Sequence, residues 1–200
     1  MSSQTDKSSW PDEKLVRLAQ RGDMLAFEEL VGRHRDKIYA RAFSMMRNED
    51  EAGDLSQEAW VKGWQRLKQF QGDSSFVTWM TRIVINLCLD QLRKQKRQRA
   101  ESIDSLEAEL GGVERLMPLV IVNPTERLER SELRRKIDQA LGQLSNEHRS
   151  VLVLHEFEGL EYKEIAKRME CSIGTVMSRL FYARRRMASL MASYKREELS

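Results

Sequence analysis

Proline occurs only at positions 11, 118 and 124. Nothing of that kind therefore interrupts a helix from Asp12 to Arg99, or from Thr125 to the end. The two cysteines, Cys88 and Cys171, lie far apart, and neither has a second Cys or a His at ligand spacing. This argues against a disulfide framework and a zinc site, and makes a reducing cytoplasm the simplest setting. The opening MSSQTDKSSWPDEK has no apolar core of a signal segment, and the run from Leu119 to Val122 is far too short for a bilayer. Neither export nor membrane insertion is expected. The histidines at 34, 148 and 155 are scattered, and neither GGVER nor SIGT has the spacing of a phosphate loop. The sequence thus offers no catalytic residues, no metal site and no cofactor site.

What the chain does have is helical periodicity and charge. Of its 200 residues 32% are charged, yet the net charge is only +3, so any basic surface must come from local distribution. Phe27, Leu30, Val31, His34, Ile38, Ala42, Phe43 and Met46 recur at steps of three and four, as on a helix facing a core. Leu55, Ala59, Trp60, Gly63, Trp64 and Leu67 form a second stripe, with Asp54, Gln57, Glu58, Val61 and Lys62 largely on the other side. FQGDSS breaks that helix: Gly72 and Asp73 favour a turn, and Ser74 or Ser75 can cap the next helix. That helix turns Phe76, Met80, Ile83, Leu87 and Cys88 inward, carries Trp79, Arg82, Asn86, Asp90 and Arg93 on an adjoining face, and ends in the basic RKQKRQR.

The second block predicts about four helices. Leu133, Ile137, Ala140, Leu141 and Leu144 mark one stripe, and Val151 to Phe157 a short apolar helix that Gly159 ends. YKEIAKRM, a turn at ECS and SIGTVMSRLFYARRRM then have the arithmetic of a helix-turn-helix. In the last helix Val176, Leu180, Ala183, Met187, Leu190 and Met191 fix a buried side. Thr175, Ser178, Arg179, Tyr182, Arg185 and Arg186 must then face outward, a set suited to phosphates and base edges in a major groove. In the first block, Trp79 beside Arg82, Asn86 and Arg93 suits unpaired bases, but spacing alone leaves Trp79 equally well in the core. The segment between the blocks, with Glu101, Asp104, Glu107, Glu109 and Glu114 against Arg115, reads as an acidic, irregular linker.

DLSQEAWVKGWQRLKQF, FQGDSSFVTWMTRIVINLCLDQLR and LSNEHRSVLVLHEFEGLEYKEIAKRMECSIGTVMSRLFYARRRM, in that order, resemble an extracytoplasmic-function (ECF) sigma factor of bacterial RNA polymerase. The resemblance implies an all-α chain of two small helical domains. A sigma-2 domain would span 12–99, a linker 100–124, and a sigma-4 helix-turn-helix domain 125–195. The partners implied are core RNA polymerase, promoter DNA (duplex at −35, melted at −10) and an anti-sigma protein, membrane-bound in many relatives. It further implies that Asp54, Gln57 and Glu58, with Val61, Lys62 and Trp64, dock on the polymerase. Phe70, Gln71, Gly72, Asp73, Ser74, Phe76, Trp79, Arg82, Asn86 and Arg93 would handle the −10 strand, in part by holding a flipped base. Ser172, Gly174, Thr175, Ser178, Arg179, Phe181, Tyr182, Arg184, Arg185 and Arg186 would read −35. Many relatives carry a basic residue where Met177 and Tyr182 stand, which changes the bases expected there. The linker would thread toward the active-site cleft and RNA exit channel, although its composition alone fits a disordered tether.

Three other functions compete on the residues alone. A stand-alone regulator would need a dimer seam or a sensor pocket, and would leave DLSQE and FQGDSS without a role. A nucleic-acid enzyme would need carboxylate pairs or a metal cluster. A purely interacting decoy would have no use for an outward Arg179.

Overall fold

The computed structural model of the chain describes residues 7–102 and 126–197. Among them there is no strand, and the helices are α1 (Asp12–Gln20), α2 (Met24–Met46), α3 (Glu49–Arg66), α4 (Phe76–Ser102), α5 (Glu126–Gly142), α6 (Asn146–Leu152), α7 (Tyr162–Arg168) and α8 (Ile173–Glu197). A 3-10 turn, Leu67–Gln69, follows α3, and a π-helical turn, Val153–Phe157, follows α6. The chain divides into two compact units, one through Gln91 and one from Leu92. The linker expected at 100–124 lies, beyond Ser102, outside the described residues.

Local chemistry sets the helix starts in the first unit. Asp23 caps α2 by accepting from the Ala26 N–H at 3.1 Å, and Asn48 caps α3 by accepting from the Glu51 N–H at 2.9 Å. The Ser75 hydroxyl does the same for α4, accepting from the Thr78 N–H at 3.2 Å. Behind these caps α2 packs on α1 and α3 through Leu15, Leu30, Ile38, Met45, Ala52 and Ala59, all fully buried. Gly63 is where α3 meets α4. A Cβ there would stand 2.5 Å from the Met80 Sδ, so only glycine permits that approach without moving Met80.

The segment ahead of α1 is held by Arg33. Its guanidinium donates to the carbonyls of Trp10 at 2.6 Å and Ser8 at 2.7 Å, and pairs with Asp12 and Glu29. Lys7 reaches Asp23 at 2.7 Å, so the α2 cap is also an ion pair.

In the second unit α8 packs on α5, α6 and α7 through Val176, Leu180, Ala183 and Leu190. Met187 and Met191, expected on the buried side, are half-buried. The helix expected at Val151–Phe157 starts earlier, because Ser145 caps it through the His148 N–H at 3.3 Å, and its end widens into the π turn. Gly159, at φ +66°, ends that turn as expected. The α5 stripe is shorter than expected: Ala140, Leu141 and Leu144 are buried, whereas Leu133 is half exposed. Arg149 is buried and donates to Leu141 O at 3.0 Å and Leu144 O at 2.9 Å, satisfying carbonyls at the end of α5.

The hydrogen bond from Lys7, and then that from the Ala26 N–H, hold the Asp23 carboxyl below its ordinary pKa. A lowered folded-state pKa adds stability above the unfolded value of about 3.9 and loses it as pH falls through the folded one. Asp23→Ala is expected to cost about 1 kcal/mol at neutral pH. In urea unfolding its difference from the parent should shrink as the solution is acidified below the ordinary Asp range.

Candidate promoter and polymerase interfaces

The outer face of α3 follows from its buried one. With Leu55, Ser56, Ala59 and Gly63 inward, Asp54, Gln57, Glu58 and Val61 are all exposed on a strip at three- and four-residue steps. Lys62 is half-buried and pairs with Glu58 at 2.8 Å. Val61 is 56% exposed, an aliphatic contact point in a polar strip. Trp64 leaves this group: it is half-buried and its ring lies 5.0 Å from Phe27, in the α2–α3 seam.

The loop after α3 is fixed at its stem. The Gln20 amide donates to Leu67 O at 3.0 Å and Phe70 O at 2.8 Å, a tie that no periodicity announced. Beyond it Gln71, Gly72 and Asp73 are exposed, Ser74 is half-buried, and Gly72 takes φ +86°, the left-handed turn its side-chain-free backbone allows. The expectation that Phe76 meets DNA is corrected: it is buried, because α4 starts at this residue and turns it into the core. The expectation of an exposed Trp79 is corrected in part. Trp79 is half-buried, 5.1 Å from Phe70 and 6.0 Å from Phe76, so only part of its face is accessible. Arg82 and Asn86 are exposed one and two turns further on, whereas Arg93 lies past Gln91, in the second unit.

In the second unit the helix-turn-helix is formed by α7 and α8. Between them Glu170 takes φ +51°, the left-handed position where glycine is common, and Cys171 N–H donates to Ala166 O at 3.1 Å. Ser172 caps α8 through the Thr175 N–H at 3.0 Å. Ser172, Gly174, Ser178, Phe181, Tyr182, Arg185 and Arg186 are exposed, and Thr175 and Arg179 are half-buried. Arg184, expected among the DNA contacts, is exposed but pairs with Glu156 at 2.6 Å, a bond that raises its pKa and fastens α8 to the π turn. Tyr182, Arg185 and Arg186 also line a groove of about 530 Å³ with Ser145, His148 and Ser189.

No group of three or more His, Cys, Asp or Glu able to hold a metal occurs among the described residues, and none of their helices is long and apolar enough to cross a membrane. Both cysteines are free. Burial pushes the Cys88 thiol up to about 12, with Glu51 adding to the shift. Alkylation of the folded protein at mildly alkaline pH is expected to label half-buried Cys171 and spare Cys88, as read by peptide mass spectrometry. Equal labelling would show that the α4 core opens readily.

Residues 30–98 match the family model for sigma-70 region 2, and residues 134–187 that for sigma-70 region 4. The RNA polymerase sigma-H factor of Pseudomonas aeruginosa is 36% identical over 187 residues, 93% of this chain and 96% of that one. The ECF RNA polymerase sigma-E factor of Escherichia coli K12 is 37% identical over 177 residues, 86% of this chain and 90% of that one. A solved structure of the sigma factor RpoE with the anti-sigma factor NepR, from Bartonella quintana, aligns with a TM-score of 0.54 and 25% identity. That alignment covers 83% of this chain and 96% of RpoE. The chain belongs to the ECF sigma factors of bacterial RNA polymerase, and so binds core polymerase and promoter DNA to begin transcription.

Proposed function

We propose that this ECF sigma factor divides its work between two surfaces. Residues 12–99 dock on the polymerase and handle the melted −10 strand, residues 100–124 connect, and residues 125–195 read −35 as duplex. The observation that carries the first assignment is the exposure of Asp54, Gln57, Glu58 and Val61 on α3, opposite a stripe the fold buries completely. Those groups contribute little to the core, so they are free to complement a basic and apolar partner surface. On the same unit Gln71, Asp73, Arg82 and Asn86, with the accessible part of Trp79, offer hydrogen bonds and stacking to an unpaired strand. On α8, Ser178 and Arg179 face base edges, while Arg185 and Arg186 meet phosphates. Arg184 serves as a brace to Glu156 and positions α8 rather than touching DNA.

Control by an anti-sigma protein is supported by the similar RpoE structure, which was solved with one. The α3 strip is the surface such a protein would have to cover in order to block the polymerase. A cytoplasmic location follows from the same reading, since the polymerase works there.

Run-off transcription with purified core polymerase tests the assignment. Asp54→Ala with Gln57→Ala is expected to cut sigma-dependent transcript more than about tenfold, the scale of one or two lost interface anchors, with helicity unchanged. Undiminished transcript would remove α3 as the docking surface. Arg185→Ala should weaken duplex binding similarly across sequences and lower the log–log salt slope by about one. An unchanged slope would take Arg185 off the phosphates.

A further inference from the structure

The outward side of α8 is not uniformly polar. Ile173, Met177 and Phe181 stand 46%, 54% and 60% exposed, and they recur every four residues. On a helix that spacing places them in one gently slanting row along a single flank, about 12 Å from first to last. Tyr182, 56% exposed, meets Phe181 edge to face with ring centroids 5.4 Å apart, which limits the positions the Phe181 ring can take. Beside this row run Ser178, Arg185 and Ser189, all exposed, with Arg186 beyond. An apolar row bordered by cationic and hydroxyl groups is complementary to a polyanion that carries apolar points at intervals. Duplex DNA is such a partner: its major groove admits an α-helix, and the apolar group on its base edges is the thymine C5-methyl.

We infer that Met177 and Phe181, extended by Ile173, read thymine methyl groups in the −35 duplex, so that this sigma factor selects its element partly by methyl contact rather than by hydrogen bonds alone. The inference rests on the reading of α8 as the duplex-facing helix. At about 3.4 Å per base pair along one strand, a 12 Å row spans roughly three to four steps, enough for more than one methyl. Met177 is suited to the task because an unbranched thioether can settle against a methyl whose position varies with local DNA shape. Phe181, braced by Tyr182, supplies a fixed flat surface.

The test uses holoenzyme assembled from core polymerase and the full chain, at one salt concentration, binding a duplex promoter library randomised across the −35 region. Each thymine in the enriched elements is then replaced by deoxyuridine, which deletes the methyl and leaves every hydrogen-bonding group in place. At one or more positions affinity is expected to fall about fourfold, the effect of one buried methyl. In Met177→Ala or Phe181→Ala the ratio between thymine and uracil at that position should fall toward one. Both residues are exposed, so the variants are expected to keep parental helicity and core-polymerase binding, and the ratio reports contact rather than folding.

Enriched elements without thymine, uracil swaps that are neutral everywhere, or a thymine preference that survives in both variants would overturn the inference. So would variants that alter self-association in sedimentation, or capture of another protein, while leaving the thymine preference intact, because the row would then cover a second copy or a protein partner. A library with no enrichment at all would sink the duplex-reading role of α8 itself. Sequence enrichment without methyl dependence would leave that role standing and remove only the methyl reading.

Discussion

The ring of Phe76 is buried among four others: His34 at 6.0 Å, Trp60 at 6.3 Å, Phe70 at 6.2 Å and Trp79 at 6.0 Å. These rings come from α2, α3, the loop before α4, and α4 itself, so one side chain fixes the mutual setting of every element that carries a candidate contact in the first unit. Rings at such separations add specific edge and offset attractions to the area they bury. His34 is held in turn by Asp12 at 2.6 Å, which brings α1 into the same cluster. The exposed Gln71, Gly72 and Asp73 therefore sit on a loop whose stem is anchored twice, by Phe70 in the aromatic cluster and by Gln20 at its carbonyls. A loop that must hold an extruded base benefits from such preorganisation.

Much of this was legible in the sequence because helical period alone decides which side is buried. Met80, Ile83, Leu87 and Cys88 are inside, as their spacing requires, and Arg82 and Asn86 are outside. The two halves of the helix-turn-helix and the caps at Ser75 and Ser172 were readable for the same local reasons. The motifs carried the family, and periodicity carried the faces.

What was not legible depends on contacts distant in sequence or on residues that act against type. Arg149 reads as a surface charge, yet it is buried against the carbonyls that end α5. Arg184 looks like one more DNA-facing arginine, and only the folded chain brings Glu156 to it across 28 positions. Arg33 holds the segment before α1 through carbonyl oxygens, which every residue has and no pattern marks. Trp64 and Trp79 shared a stripe and a face in the sequence, and packing against Phe27 and Phe70 settled both as half-buried. Leu133 fits the α5 period but stands half exposed, because periodicity names a stripe without showing how far along it the core reaches.

The central claim is that two surfaces of one chain serve two partners: α3 the polymerase and α8 the duplex. Amide hydrogen exchange of the full chain, alone, with core polymerase, and with polymerase plus promoter DNA, tests it most directly. The account predicts that core polymerase slows exchange in α3, and that adding promoter slows it further at the start of α8 and in the loop from Phe70 to Ser75. Protection of α8 by duplex alone, with α3 indifferent to polymerase, would contradict it.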